Sequence, residues 1–531
     1  MVLTDPGQSQ TTDEQATSGR SLPGTLAYWA DATPAAPALS FTDFDDRIDA
    51  WTYSEFRNSV VSAAKLLESS GLSAGDRCVL HTGNSRGFMI LFWAVQELGA
   101  VAVPTIAQYS EDELAFVIAD CDASVVVSTP LLEDVAAAAI GDSGRVLLTE
   151  GDIDDGLLKI SHRQGDPLAE PRTGRLDRDV ALILYTSGTT SRPKGVMLTH
   201  GSVLYTARTY AEHFRLQTGD RTLVCLPLFH ANGLLLQMMP VILSGGHMIV
   251  TPRFSASRYW RWIDEFEVSV AHLVAGPLRL LRSGDEMPSG NRRVRLMSFG
   301  MPLTSEEIAA FEDRFGIPLV MVWGSTETGC GGTLMPLDAD RRPGHQNVGQ
   351  AMPGWQVELV DPDTGTQVAD GDVGEFRVKS DGIMKGYLGQ PEATAAALRE
   401  GWVLTGDLGW RDADGYFHFV DRLKDMLKPS GENVAASEVE RVITDHPKVH
   451  KCAVVGLPDP VRMEIVIAAI VPEPGEEPAE SEIREWCAAR LASFKVPSRV
   501  QNFTELPETS IGKTRKAELK QLLLASTGED E

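Results

Sequence analysis

Six cysteines in 531 residues, scattered at Cys78, Cys121, Cys225, Cys330, Cys452 and Cys487, are too few and too widely spaced for a disulfide framework or a metal-ligand cluster. They point to reduced thiols and hence to a cytoplasmic location. Basic residues fall short of acidic ones, 48 against 74, which leaves a net charge of −26. That imbalance excludes a broad electrostatic footprint for nucleic acid or anionic lipid, so any anionic ligand needs a local site. No apolar run is long enough to span a bilayer. The most apolar stretch, 88–103, is interrupted by Gln96, Glu97 and Gly99 and is predicted to be a buried helix followed by a strand. Residues 1–20 lack the basic and apolar regions of a secretory signal, so a flexible tail is expected over 1–21. The last residues match neither a peroxisomal address nor a prenylation box. No fixed-period repeat suggests a solenoid.

What is present reads as a large α/β protein. Its length exceeds what one hydrophobic core supports, so at least two domains are expected. From about 22 to 420, β-branched runs such as 181–184, 222–225 and 248–250 alternate with segments of helical periodicity, which predicts parallel sheet with covering helices. One such unit is the helix predicted over 53–70, ending before Gly71, with a strand at 77–81. The charged pentapeptide Asp421-Arg422-Leu423-Lys424-Asp425 follows an apolar strand at 416–420 and precedes Pro429, Ser430 and Gly431, as a domain boundary does. Beyond it, helices at 437–444 and 482–492 and strands at 453–455 and 465–471 predict a small α+β domain.

The sharpest chemical signal is Tyr185-Thr186-Ser187-Gly188-Thr189-Thr190-Ser191-Arg192-Pro193-Lys194-Gly195, directly after an apolar strand. Its backbone N–H groups and hydroxyls suit phosphate oxygens, and the lysine supplies a mobile positive charge. The glycine-to-lysine spacing is not that of a Walker A loop, which disfavours a motor or kinase-type ATPase. The string resembles the phosphate-binding loop of the adenylate-forming superfamily, which includes acyl-CoA synthetases, beetle luciferases and peptide-synthetase adenylation domains. Ser191 stands where that family usually has glycine.

Further motifs of the family occur in order over nearly the whole chain. Trp323-Gly324-Ser325-Thr326-Glu327 resembles the segment in which an aromatic ring packs on adenine, Thr326 and Glu327 face the phosphates, and the carboxylate holds Mg²⁺. Trp402-Val403-Leu404-Thr405-Gly406-Asp407-Leu408-Gly409 resembles the ribose-binding stretch, with Arg422 donating to the same sugar. Leu506-Pro507-Glu508-Thr509-Ser510-Ile511-Gly512-Lys513 resembles the last motif, whose lysine contacts the reacting carboxylate. Attack of one anion on another is opposed by Coulomb repulsion, so a positioned cation is the expected device. Lys516 and Lys520, nearby, read as solvated charges. Lys424 falls at the family's hinge, and Ser430 and Gly431 fall on the segment that lines a pantetheine tunnel. Ala436 and Met463 replace a common proline and glycine there.

The resemblance therefore implies an α/β fold with a large N-terminal domain of mixed sheets and covering helices over 22–420, a hinge at 421–425 and a small mobile α+β domain over 426–531. It implies ATP, Mg²⁺ and coenzyme A as ligands, with ATP held by Thr186, Ser187, Gly188, Thr189, Thr190, Lys194, Trp323, Thr326, Asp407 and Arg422. Thr186, Lys194, Glu327 and Lys513 would carry the catalysis. The acyl site would include His230, Phe299, Gly300, Met301 and Gly324. No aspartate stands in 226–233 to pair with a substrate amine, which disfavours an α-amino acid. Phe299 replaces a small residue, while the resemblance implies that Gly324 keeps open a wall that acetate-specific relatives fill with tryptophan, so a small or medium carboxylic acid, aliphatic or aromatic, is expected. His230 either gates the carboxylate or packs at a strand end. Transfer to a carrier-protein pantetheine or another nucleophile, adenylation of another oxyanion, and a non-catalytic nucleotide-binding module are the alternatives. Monomer and homodimer are both open.

Overall fold

The computed structural model describes residues 21–149, 178–186, 193–284, 286, 293–300, 303–338, 344, 346–427, 429, 434–459, 463–508 and 514–527. Two compact units emerge. The first comprises the described residues within Met1–Thr186, Pro193–Glu358 and Arg377–Thr405, and the second those within Leu359–Phe376 and Gly406–Glu531.

Two sheets form the first unit. In one, the strands Val180–Thr186, Val101–Pro104, Arg77–His81, Val125–Ser128 and Val146–Thr149 run parallel in that order. Lys194–Thr199 and then Gly386–Tyr387 add antiparallel edges beside Val180–Thr186. The helix Arg86–Glu97 feeds this sheet and is buried from Gly87 to Glu97, which explains its apolar sequence on all faces. The helix Tyr53–Ser69 starts where Thr52 and Glu55 form a reciprocal capping box.

The second sheet of this unit takes Ile48–Thr52, Pro37–Thr42, His247–Val250, Arg221–Val224, Val270–Val274, Leu296–Gly300, Leu319–Gly324, Gly332–Leu334 and Asn347–Ala351 in order. Its middle is parallel, while the pairings at both ends are antiparallel. Both sheets are thus mixed. The parallel strands end close to the motif residues, as expected for open α/β sheets that bind ligands beyond their carboxyl ends.

In the second unit, Val449–Asp459 pairs antiparallel with Met463–Pro472, and Arg499–Asn502 adds a parallel strand. Alternation decides which face each residue meets. Val454, Val466, Ala468 and Ile470 pack with Val439, Ile443 and Ile483 from the helices Ala436–Thr444 and Glu480–Ala488. Ala453, Val455, Leu457, Ile467 and Ala469 pack with Leu519 and Leu523 of Lys516–Thr527. Among the described residues, no helix is long and apolar enough to cross a membrane. All six cysteines are free.

Candidate functional site

The flanks of the hydroxyl-rich loop form an antiparallel pair in which Thr186 faces Lys194 and Tyr185 faces Gly195. The Thr186 hydroxyl donates to the Lys194 carbonyl at 3.5 Å. Ser187, Gly188, Thr189, Thr190 and Ser191 lie outside the described residues. The pairing brings both loop ends to one place, with the Lys194 ammonium 4.9 Å from the centre of the Tyr387 ring. The Tyr387 hydroxyl donates to Glu327 Oε1 at 3.0 Å. Burial first, and the adjacent Glu327 carboxylate second, push the Tyr387 phenol far above its ordinary pKa, so it stays a donor.

Glu327 sits on a turn closed by its own neighbours. Ser325 N–H donates to Thr328 Oγ1 at 2.9 Å, Thr328 N–H donates to Ser325 Oγ at 3.2 Å, and Cys330 N–H donates to the Ser325 carbonyl at 2.7 Å. The Met384 N–H binds the Glu327 carbonyl at 2.8 Å. Thr326 and Glu327 are half-buried, whereas Trp323 is only 7% exposed. Burial, with help from Glu327, pushes the Cys330 thiol up to about 12, so this nearby cysteine is no thiolate nucleophile. At Gly324 a Cβ would sit 2.7 Å from the Cys330 carbonyl carbon. Backbone thus fills the side of Gly324 that a side chain would take, so only glycine fits, while the residue itself remains exposed.

Around the candidate acyl wall, Phe229 and His230 rings lie 4.7 Å apart, and His230 precedes the π-helix Asn232–Met238, a wide turn often found at functional positions. A Cβ at Gly300 would meet the Asn232 amide nitrogen at 3.6 Å, so the strand end Leu296–Gly300 turns Gly300 toward Asn232. Phe299, one residue earlier, projects from the opposite face and is fully buried. His230 Nε2 and Asn232 Oδ1 are buried with no hydrogen-bond partner among the described residues. Burial drives the His230 pKa down to about 4, leaving a neutral imidazole near pH 7. Met301 lies outside the described residues.

In the second unit Asp407 and Arg422 are direct cross-strand neighbours. Arg422 Nε lies 2.7 Å from Asp407 Oδ1, and Asp407 is 4% exposed. Gly406, at φ 71°, donates its N–H to Glu375 at 2.9 Å and so fixes the backbone next to Asp407. Lys424 is exposed in the 3-10 turn Leu423–Asp425. Ser430, Gly431 and Lys513 lie outside the described residues. The flanks of Lys513 are tied down: Glu508 bridges Thr514, Lys451 pairs with Glu508, and Arg515 N–H binds the Pro507 carbonyl at 2.7 Å.

Lys516 corrects the expectation of a solvated charge. Its ammonium is 2.8 Å from Glu440 Oε1, with side chains 19% and 23% exposed. Burial opposes the charge, but Glu440, with Asp421 and Asp425 adding, holds Lys516 above the ordinary lysine range. Packing of the last helix onto Val449–Asp459 places this lysine against the Ala436–Thr444 helix, a contact that the local sequence does not display.

Residues 26–388 match the AMP-binding enzyme family, and 438–513 match the AMP-binding enzyme C-terminal domain. The chain is 32% identical over 501 residues to a crotonobetaine/carnitine–CoA ligase of Salmonella paratyphi A, covering 91% of this chain and 95% of that one. It is 35% identical over 478 residues to a feruloyl-CoA synthase of Amycolatopsis, covering 89% and 94%. The ATP-bound structure of MatB from Rhodopseudomonas palustris superposes with a TM-score of 0.85 at 30% identity, covering 94% of this chain and 98% of that one. The chain belongs to the adenylate-forming acyl-CoA synthetase family.

In this AMP-forming ligase the Glu327 carboxylate, which the sequence motif nominates to hold Mg²⁺, has one oxygen engaged by the Tyr387 hydroxyl. Among the described residues, no three His, Cys, Asp or Glu side chains converge as a metal cage. A hard divalent ion would draw its other ligands from phosphate and water, the pattern Mg²⁺ favours, so the donor set fits that ion. Tyr387 and Asn232 stand beside the motif residues yet are not singled out by the sequence. The available signals are a glycine before an aromatic at Gly386-Tyr387 and a lone amide in the apolar run at 226–236.

Proposed function

We propose that this enzyme activates a small or medium carboxylic acid, aliphatic or aromatic, as acyl-AMP and transfers the acyl group to the thiol of coenzyme A. The observation that carries the reading is the convergence of Lys194, Tyr387 and Glu327 at the base of the hydroxyl-rich loop, in a chain of this family. Thr186, Ser187, Gly188, Thr189, Thr190 and Lys194 hold the phosphates, Trp323 and Thr326 orient the nucleotide, and Asp407 with Arg422 binds the ribose. Mg²⁺, when bound at Glu327, neutralises phosphate charge.

Lys513 steers the substrate carboxylate in line with the α-phosphorus. An oxygen–phosphorus bond forms to the acid, the bond to pyrophosphate breaks, and acyl-AMP results. The domain over 426–531 then turns about Lys424 in the 421–425 hinge relative to 22–420. Lys513 withdraws, the Ser430 and Gly431 segment approaches, and a thiolate attacks the acyl carbonyl with AMP leaving. The acyl chain lies along His230, Gly300, Met301 and Gly324, with Phe299 packed behind. The crotonobetaine/carnitine and feruloyl names of the relatives support both aliphatic and aromatic acids. Free cysteines fit a cytoplasmic enzyme.

The test is pyrophosphate release over a panel of carboxylic acids, with and without coenzyme A. Acid-dependent AMP and pyrophosphate, with product release accelerated by coenzyme A, is the expected result. Lys513→Ala should lower adenylation by roughly 100-fold or more, the scale of losing one transition-state charge stabiliser, while thioester formation from supplied acyl-AMP persists. Equal loss of both half-reactions contradicts the division of labour. Nucleotide binding without AMP production indicates a non-catalytic module, and turnover indifferent to coenzyme A indicates another acceptor.

A further inference from the structure

The segment 384–388 touches both halves of the proposed phosphate site. Met384 N–H binds the Glu327 carbonyl at 2.8 Å, Lys385 N–H binds the Met197 carbonyl at 2.9 Å, and Leu388 N–H binds the Gly195 carbonyl at 2.8 Å. Tyr387 pairs with Val196 on the strand that begins at Lys194. Its own N–H donates to Thr394 Oγ1 at 2.9 Å, and the Thr394 hydroxyl donates to the Gln390 carbonyl at 2.8 Å. Gly386 takes φ 142°, and a Cβ there would lie 2.7 Å from Thr394 Cγ2, so no other residue keeps this close approach. Tyr387 is therefore held from before, behind and across the sheet.

We infer that Tyr387 is a positioning residue for Glu327: its hydroxyl fixes one carboxylate oxygen and leaves the other to the cation of the bound nucleotide. The same ring lies 4.9 Å from the Lys194 ammonium, near enough for a cation–π attraction, so one side chain contacts both the lysine at the loop end and the carboxylate. The phenol, as a neutral donor, occupies the carboxylate without consuming its charge. This inference rests on the function proposed above and adds how the metal-binding carboxylate is aimed.

Tyr387→Phe removes the hydroxyl and keeps the ring. Binding of Mn²⁺ with non-cleavable α,β-methylene-ATP, followed by calorimetry and by the electron paramagnetic resonance of Mn²⁺, should weaken about tenfold, the lower end for losing a group that orients a metal ligand. The effect should vanish in a Glu327→Gln background, because a residue acting through Glu327 has nothing left to orient. Thioester formation from supplied acyl-AMP should stay at the wild-type rate. Losses that add in the double variant, accompanied by a lowered melting temperature, overturn the inference in favour of packing alone. Wild-type affinity in Tyr387→Phe overturns it as well. Failure of the wild-type enzyme to bind Mn²⁺ with the nucleotide overturns the functional reading itself, and with it this inference.

Discussion

At Asp407 a single carboxylate serves two masters, the Arg422 guanidinium 2.7 Å away and, in the proposed function, the sugar of ATP. Hydrogen bonds to a charged acceptor contribute about 1.5–3 kcal/mol, so Asp407→Asn should raise the KM for ATP roughly tenfold or more. The wild-type enzyme should prefer ATP over 2′-deoxy-ATP, and the variant should lose that preference. Steady-state kinetics with both nucleotides check this, and a preference kept by the variant assigns the sugar contact elsewhere. Asp407 and Arg422, named together from their motif spacing, are cross-strand neighbours in the structure. Tyr387 was not legible in the sequence, since a tyrosine after glycine is an ordinary strand residue until its hydroxyl is seen on Glu327. Lys516 was misread for a similar reason. Charge alone suggests solvent, and its partner Glu440 lies in another helix, seventy-odd positions back.

That helix, Ala436–Thr444, is joined to two other elements through one carboxylate oxygen. Glu440 Oε1 accepts from the Val454 N–H and from Lys516 Nζ, both at 2.8 Å, linking the strand Val449–Asp459 and the helix Lys516–Thr527. Glu440→Gln keeps an acceptor for Val454 but leaves the lysine without its anion. A loss of about 1.5–3 kcal/mol is expected for the second unit, read from urea unfolding, and a Glu440→Gln, Lys516→Met double variant should recover part of it. Full additivity of the two substitutions would show that the pair contributes nothing as a pair. At this scale the sequence served well where periodicity was strong: 77–81 is a strand as predicted, and the 53–70 helix ends at Ser69. The 482–492 helix stops early, at Ala488. There Arg490 folds back over the Trp486 ring and donates to the Trp486 carbonyl at 3.1 Å, taking an acceptor that a further helical turn would use. The sheets are mixed, as the family resemblance implied; in one of them the antiparallel edge comes from the hairpin of Val180–Thr186 and Lys194–Thr199, whose direction follows from a short connection that strand composition alone does not reveal.

Histidine burial should govern how the molecule responds to acid. Burial lowers His81, His200, His213, His230 and His247 to about 4 and His272 to about 3, and all six lie in the first unit. In the unfolded chain each takes up a proton near 6.5. Protonation therefore favours unfolding. The stability tied to these groups is complete above about 6.5 and is lost as pH falls toward about 4, at about 1.4 kcal/mol per pH unit for each histidine. The net charge of −26 argues the other way, because acidification relieves self-repulsion. That repulsion acts between exposed charges and is screened within about 8 Å at physiological salt, whereas an enclosed imidazole is not screened. The histidines should win. Unfolding free energy should fall from pH 7 to pH 5, with nearly the same slope at high salt. His200 gives a direct check, since its Nδ1 accepts the Leu22 N–H at 3.3 Å and asparagine supplies a similar acceptor without the titration. His200→Asn should flatten the acid slope by about one proton. A protein that gains stability on acidification, or whose acid slope disappears in salt, would place control with the surface charge instead.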